Sequence, residues 1–341
     1  MTRGPFLAAV LCLALESLAC AHAEPPERTQ PLVLTEAIPL EGIKGRFDHL
    51  GAGGGRLFVA ALGSNAVVAI NLRARTVDRS ITGVRDPQGV VYSPETKKLF
   101  VSSGSEGKVY IYDGATYEQI ATVDFEGGAD NLRYDAANRR VYVGCGDDAK
   151  TGAIATIDAV TNQRLDETYQ LGAEPESFQL EKSGPNIYVN VPDLKQIVVV
   201  NRKTKEISRW PLQGVATNFA MALDETDHRL FVGTHAPARM AVFDTTSGRM
   251  IAALPGVQGS DDLYYDVDRK RLYMPGSEGF IYVYQMKDPD HYQRLAKVPT
   301  ALGAATAGYW GKQAKGFDRL YLAVPARGVN PAEIRIYVVQ D

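Results

Sequence analysis

Four carboxylates, Asp48, Asp130, Glu176 and Asp261, recur at one place in four repeats of this 341-residue chain, two residues ahead of the first apolar position of a short strand. Gln88 and Thr217 hold that place in two further repeats, and Ala305 holds it in the last. The next position brings His49, Gly89, Asn131, Ser177, Asn218, Asp262 and Thr306. Residues in phase in successive repeats of a closed array face one axis, so these carboxylates and amides are expected to converge. Oxygen-rich sets of this kind suit hard cations, because Ca²⁺ and Mg²⁺ take carboxylate and amide oxygens as ligands. Like charges brought that close repel unless a cation or shared protons offset them. The ligand-binding candidates are therefore Asp48, His49, Gln88, Asp130, Asn131, Glu176, Asn218, Asp261 and Asp262. Asp130, Asn131, Glu176, Asn218 and Asp262 are the candidate ligands for a divalent cation such as Ca²⁺. The same side chains also suit a structural role, tying loops to neighbouring repeats and hydrating a channel.

Histidine adds a second chemistry, since an imidazole beside carboxylates is suited to general base catalysis. His49 adjoins Asp48, and His235 falls in a bend expected on the same face, so His49, Glu176 and His235 are the catalytic candidates. His228 and His291 read as solvated loop residues, while Arg46, Arg133 and Arg239 are candidate anion partners that blade salt bridges would equally explain.

The elements that position these residues follow from a second repeated feature. A basic or amide residue followed by an apolar, an aromatic and an apolar residue recurs from Arg56, Lys98, Arg140, Asn186, Arg229, Arg271 and Arg319. Successive starts differ by 42, 42, 46, 43, 42 and 48 residues, which is the period of a four-stranded propeller blade. Each repeat holds short runs of Val, Ile, Tyr and Thr broken by Gly, Asp, Asn and Pro, which are strand and turn signals. In blade 2 they predict strands at 89–92, 98–101, 109–112 and 119–123. The third strands end on Asn71, Asp113, Asp158, Asn201 and Asp244, whose side chains are expected to close hairpin turns.

The expected fold is all-β, a seven-bladed propeller of four-stranded blades forming one domain over residues 32–341. The last repeat lacks a fourth strand after residues 333–339, and residues 32–38 have no other home, so the N-terminal strand should complete that blade. Closure matters because an open ring exposes unpaired strand edges.

Residues 1–23 carry Arg3, an apolar stretch and a small-x-small ending at Ala21, His22 and Ala23, and read as a cleaved signal peptide. Residues 24–31 form a Pro-rich tether. The expected location is periplasmic or secreted. Ser17, Leu18, Ala19 and Cys20 resemble a lipoprotein box, but Ser stands where an aliphatic residue is usual, which makes lipidation at Cys20 the lesser reading. Loss of the leader leaves Cys145 as the sole cysteine, so no internal disulfide is expected. A net charge of −3 from 37 basic and 40 acidic residues gives no nucleic-acid footprint. The apolar leader is too short to span a bilayer, and a monomer is expected.

The stretch from Leu57 to Asn71, together with Ile187, Tyr188, Val189 and Asn190, resembles the repeat of bacterial YVTN-type seven-bladed propellers, many of them exported. The likeness spans residues 32–341 and implies the fold; it does not imply a reaction, because the shared residues are those that build blades. Other propeller enzymes match poorly. The histidines are too few for the copper site of nitrous oxide reductase, and Trp210 and Trp310 are too few for the dockings of quinoprotein alcohol dehydrogenases. No G-x-S-x-G elbow is present. Gluconolactonase-like propellers hold a divalent metal with Glu, Asn and Asp, residue types found here at Glu176, Asn131, Asn218 and Asp262, but they have six blades. The expectation is an exported binding protein or scaffold that recognises a polar small molecule, a metal-containing ligand or a partner protein at the channel mouth. A metal-assisted hydrolase, lyase or lactonase on the same face is the alternative.

Overall fold

The computed structural model describes Met1, residues 30–312 and residues 318–341. The repeats form seven four-stranded antiparallel sheets, and the helices among the described residues are two 3₁₀ turns, Leu62–Ser64 and Pro192–Leu194. The leader with Cys12 and Cys20 lies outside the described residues, as do residues 24–29 of the tether. Among the described residues no helix is long and apolar enough to cross a membrane.

Blade 2 pairs Pro87–Ser93, Lys98–Ser103, Lys108–Asp113 and Gln119–Asp124 in that order. Its inner strand extends further back than the apolar run from residue 89, because pairing continues to Pro87 across a register shift before Val90. Second strands such as Arg56–Ala61 are buried from their second residue onward. They lie between neighbouring blades, so both faces are covered and the apolar run is continuous rather than alternating. The outer strand Thr76–Thr82 is exposed except at Ile81. The acids and amides that end the third strands close turns as their spacing implies. Asn71 Oδ1 accepts from Arg73 N at 3.1 Å and Ala74 N at 3.0 Å, and Asp113, Asp158 and Asn201 repeat the pattern.

Ring closure is made by Leu32–Leu40, which pairs antiparallel with Ala332–Val339, from Leu32 opposite Val339 to Leu40 opposite Ala332. The last blade therefore runs Leu32–Leu40, Ala332–Val339, Arg319–Val324 and Ala307–Gly308 from rim to axis. Leu32 is fully buried in a cluster with Tyr273, Ile281 and Leu320, reaching blade 6. Ile38 and Leu40 pack in another cluster with Leu57, Val59 and Val68 of blade 1. One strand thus supplies apolar contact on both sides of the seam.

The inner strands approach so closely that side chains are excluded at some positions. A Cβ on Gly51 would lie 2.6 Å from Val90 O, and one on Gly89 would lie 2.5 Å from Asp130 O. Glycine there lets the backbones of blades 1, 2 and 3 meet around the axis.

Leu32→Ala is expected to destabilise the ring by about 2–5 kcal/mol, the cost of emptying a fully buried leucine site. Deleting residues 24–42 should lower the melting temperature further, and calorimetry of both variants against the parent checks the assignment; unchanged melting would refute it.

Candidate functional site

The loops that lead into the inner strands and the bends between second and third strands surround a cavity of about 290 Å³ at one end of the channel. Asp48, Gln88, Asp130, Glu176 and Asp261 line it, as the phase of the repeats implies, whereas Thr217 does not. His49, Asn131 and Ser177 line it from the following position. His49 and Ser177 also line a second cavity of about 630 Å³ further along the inner strands. They belong to a polar layer between the two, and Asp262 faces the second cavity.

The structure separates the remaining candidates from this set. Asn218 is fully buried and lines neither cavity; its Nδ2 donates to Asn190 Oδ1 at 2.8 Å and to Gln196 O at 3.1 Å, joining blades 4 and 5. His235 stacks on Phe219 with ring centroids 4.7 Å apart, and its Nε2 lies 3.0 Å from Ser260 O. Phe219 lines the mouth and His235 stands behind it. His228 is exposed in a turn with φ 55°, and His291 is exposed beside Asp288. Arg239 lines neither cavity, Arg46 lines the mouth and Arg133 lines the second cavity.

His49 is the hub of the polar layer. Its Nδ1 lies 3.2 Å from Asp262 Oδ1 and its Nε2 lies 3.4 Å from Asp48 Oδ1. Asp262 is held in turn by Ala307 N, which donates to Oδ2 at 2.9 Å. One ligand atom each from Asp48, His49 and Asp130 falls within a mutual distance of 4.8 Å. Asp130 Oδ2 accepts from Asn131 Nδ2 at 3.3 Å, but its Oδ1 is buried without a hydrogen-bond partner. An unmatched buried carboxylate oxygen keeps the lone pairs that a cation takes, and Asp48 brings a second carboxylate into the same cluster.

Electrostatics show how strained this arrangement is. Burial raises the Asp48 carboxyl to about 7; His49 opposes the rise, and Asp130 and Asp261 add to it. Burial also raises Asp130 against the pull of His49, and it raises Asp261 with Asp262 adding to the effect. Glu176 is lifted well above the carboxylate range by burial and by Asp130 and Glu174. For His49, burial lowers the pKa, but Asp48 and Asp262 outweigh it and carry the imidazole up to about 10. The carboxylates on either side thus favour the protonated imidazole, which is poor preparation for abstracting a proton.

Three further carboxylates line the mouth that phase reasoning did not select, namely Asp86, Asp147 and Glu174. Asp86 and Glu174 stand two residues ahead of Gln88 and Glu176, so a second offset in the same loops carried the signal. Asp147 comes from the bend after the second strand of blade 3, where its Oδ1 accepts from Gly128 N at 2.7 Å. The mouth thus gathers seven carboxylates against Arg46 and His49.

These shifts set a pH dependence. A carboxyl whose folded pKa is raised from 3.8 to about 7 binds its proton more tightly when folded, so its stabilising effect is complete below 3.8 and is lost as pH rises toward 7. His49, raised from 6.5 to about 10, contributes stability below 6.5 that is lost as pH rises through 10. Asp48→Asn removes the first effect and should raise the melting temperature at neutral pH by roughly 2 °C or more while flattening its fall above pH 4. Melting curves of both proteins across this range test it, and parallel slopes would count against the assignment.

No family model matches the chain, and no curated protein matches it in sequence. Solved structures do match in shape. A chain of a mitotic checkpoint complex superposes with a TM-score of 0.75 at 15% identity, covering 98% of this chain and 99% of its own. A chain of Kuenenia stuttgartiensis hydrazine synthase gives a TM-score of 0.73 at 14% identity, covering 88% of this chain and 99% of its own. At such identities the likeness is one of fold: the chain is a seven-bladed β-propeller.

Proposed function

We propose that this propeller is an exported binding protein whose acidic channel mouth captures a small cationic or metal-containing polar ligand, with a divalent cation at Asp48 and Asp130 as its simplest form. The observation that carries the reading is the buried, unpartnered Oδ1 of Asp130 beside Asp48 and His49. Seven carboxylates around one small cavity repel one another, and burial makes that repulsion costly. A bound cation relieves the repulsion, with Glu176 and Asp261 as the next oxygens available at the rim. The propeller holds the two primary carboxylates on separate blades, so their spacing is set by packing and the site is formed before the ligand arrives.

The test is thermal. Ca²⁺, Mg²⁺, Mn²⁺ or Zn²⁺ at a hundredfold excess over Kd should add about 2.7 kcal/mol of stability, and a chelator should reverse it. Asp130→Asn combined with Glu176→Gln should abolish the response while leaving a folded ring, since both changes keep size and hydrogen-bonding capacity. A wild-type protein that none of the four cations stabilises would rule out the metal form of the reading.

Export is part of the same proposal, and its support is the leader-like composition of residues 1–23 and the likeness to exported YVTN-type repeats. Protein recovered from a periplasmic fraction should begin at Glu24 and carry no lipid, as N-terminal sequencing and mass spectrometry will read. A peptide starting at an acylated Cys20 would instead place the propeller on a membrane surface.

A further inference from the structure

The second cavity, of about 630 Å³, differs from the mouth in chemistry. Its walls include Leu132, Met221, Leu263, Tyr92 and Tyr264, and Arg133 enters it from the polar layer. Its volume is within the range of small-molecule pockets, about 300–1,000 Å³.

Arg133 is rigidly held. Its Nη1 donates to Leu132 O at 2.8 Å and to Asn131 Oδ1 at 3.3 Å, and its Nη2 donates to Ser177 Oγ at 3.1 Å. The guanidinium also lies 5.4 Å from the centre of the Phe178 ring. A guanidinium has five N–H donors, so these contacts leave the Nε–H and one Nη2–H without a protein acceptor among the described residues. Those two donors are what the guanidinium keeps for an incoming carboxylate, to which it donates charge-assisted hydrogen bonds.

No carboxylate of the described residues forms an ion pair with Arg133. Asp262, the carboxylate of the adjoining layer, already uses Oδ1 on His49 and Oδ2 on Ala307 N. Burial pulls the guanidinium below its ordinary pKa, with Tyr264, Asp262 and Asp130 opposing the fall. Lys182 at the rim adds a second positive charge, exposed to solvent.

We infer that this second cavity is a binding site for a small carboxylate with an aromatic or aliphatic body, its head taken by the remaining donors of Arg133 and its body by the apolar and tyrosine walls. The inference goes beyond the mouth reading and does not depend on it, because the second cavity has apolar walls and sets Arg133, Lys182 and Lys312 against Asp262 and Asp268, whereas the mouth is dominated by carboxylates. A carboxylate is repelled at the mouth and meets here a preorganised guanidinium that no carboxylate of the described residues pairs with directly. Arg133 touches the ligand directly, whereas Asn131 and Ser177 position it.

Benzoate, 3-phenylpropanoate, indole-3-acetate and octanoate are the probes, titrated into the full-length protein up to about 10 mM and followed by saturation-transfer NMR and calorimetry. At least one should bind saturably, and its carboxamide should bind roughly tenfold more weakly or worse, because the charge assistance is lost. Arg133→Gln should weaken the carboxylate by a similar factor and leave the carboxamide little changed, in a protein whose circular dichroism matches wild type. Should that variant not fold, Arg133→Lys keeps the charge and removes the guanidinium, and the carboxylate-to-carboxamide ratio in wild type is itself decisive. The proposal is overturned if none of the four probes binds, or if acid and amide bind equally. It is also overturned if phosphatidylglycerol vesicles retain the protein through Arg133 while no free carboxylate binds, since the cavity would then serve a membrane.

Discussion

Everything in this ring rests on the pairing of Leu32–Leu40 with Ala332–Val339. Six blades are continuous in the chain, and the seventh is assembled from its two ends. Without that ladder the last blade would present an open edge, and the apolar faces of blades 6, 7 and 1 would lose the residues that seal them. Leu32 serves one side of the seam and Ile38 and Leu40 the other, so a single strand couples hydrogen bonding to packing across three sheets. The channel residues come from separate blades, and a closed ring is what holds them at fixed distances.

Closure also explains how so unfavourable a charge cluster survives. Asp48, Asp130, Glu176 and Asp261 are presented by four sheets, each anchored by a second strand that is buried from its second residue onward. The repulsion at the axis acts on loops that cannot retreat without unpacking a blade. Functional sites that hold like charges together commonly draw on the stability of a rigid surround, and here the surround is a set of inter-blade cores. His49 moderates the cost by bridging Asp48 and Asp262, the only direct imidazole contacts with carboxylates within the described channel.

The channel is polarised along its axis. One end gathers carboxylates around a small polar cavity; the other is wider, walled by aliphatic and tyrosine side chains, with Arg133 at its floor. Between them lies a polar layer in which His49 bonds Asp262 and Arg133 bonds Asn131 and Ser177. Opposite charges placed at two levels of one channel stabilise each other through the layer.

The order of blades, the closing strand and the convergence of Asp48, Asp130, Glu176 and Asp261 were legible in the sequence. Each depends on period and phase, and in a repeat fold every unit places equivalent residues at equivalent points in space. The turn-closing roles of Asn71 and Asp113 were legible for the same reason, because they involve backbone only two or three residues away. Tertiary structure alone decided the rest. Asn218 shares the phase of Asn131 but turns into the interface with Asn190, since the neighbouring blade offers it an acceptor there. His235 is on the expected face yet stacks behind Phe219. Arg133 meets Ser177, which is 44 residues away, while Asp262 is engaged by His49 and Ala307. Phase fixes which residues approach the axis; which partner each one meets depends on side-chain packing between blades, and no spacing within one repeat encodes that.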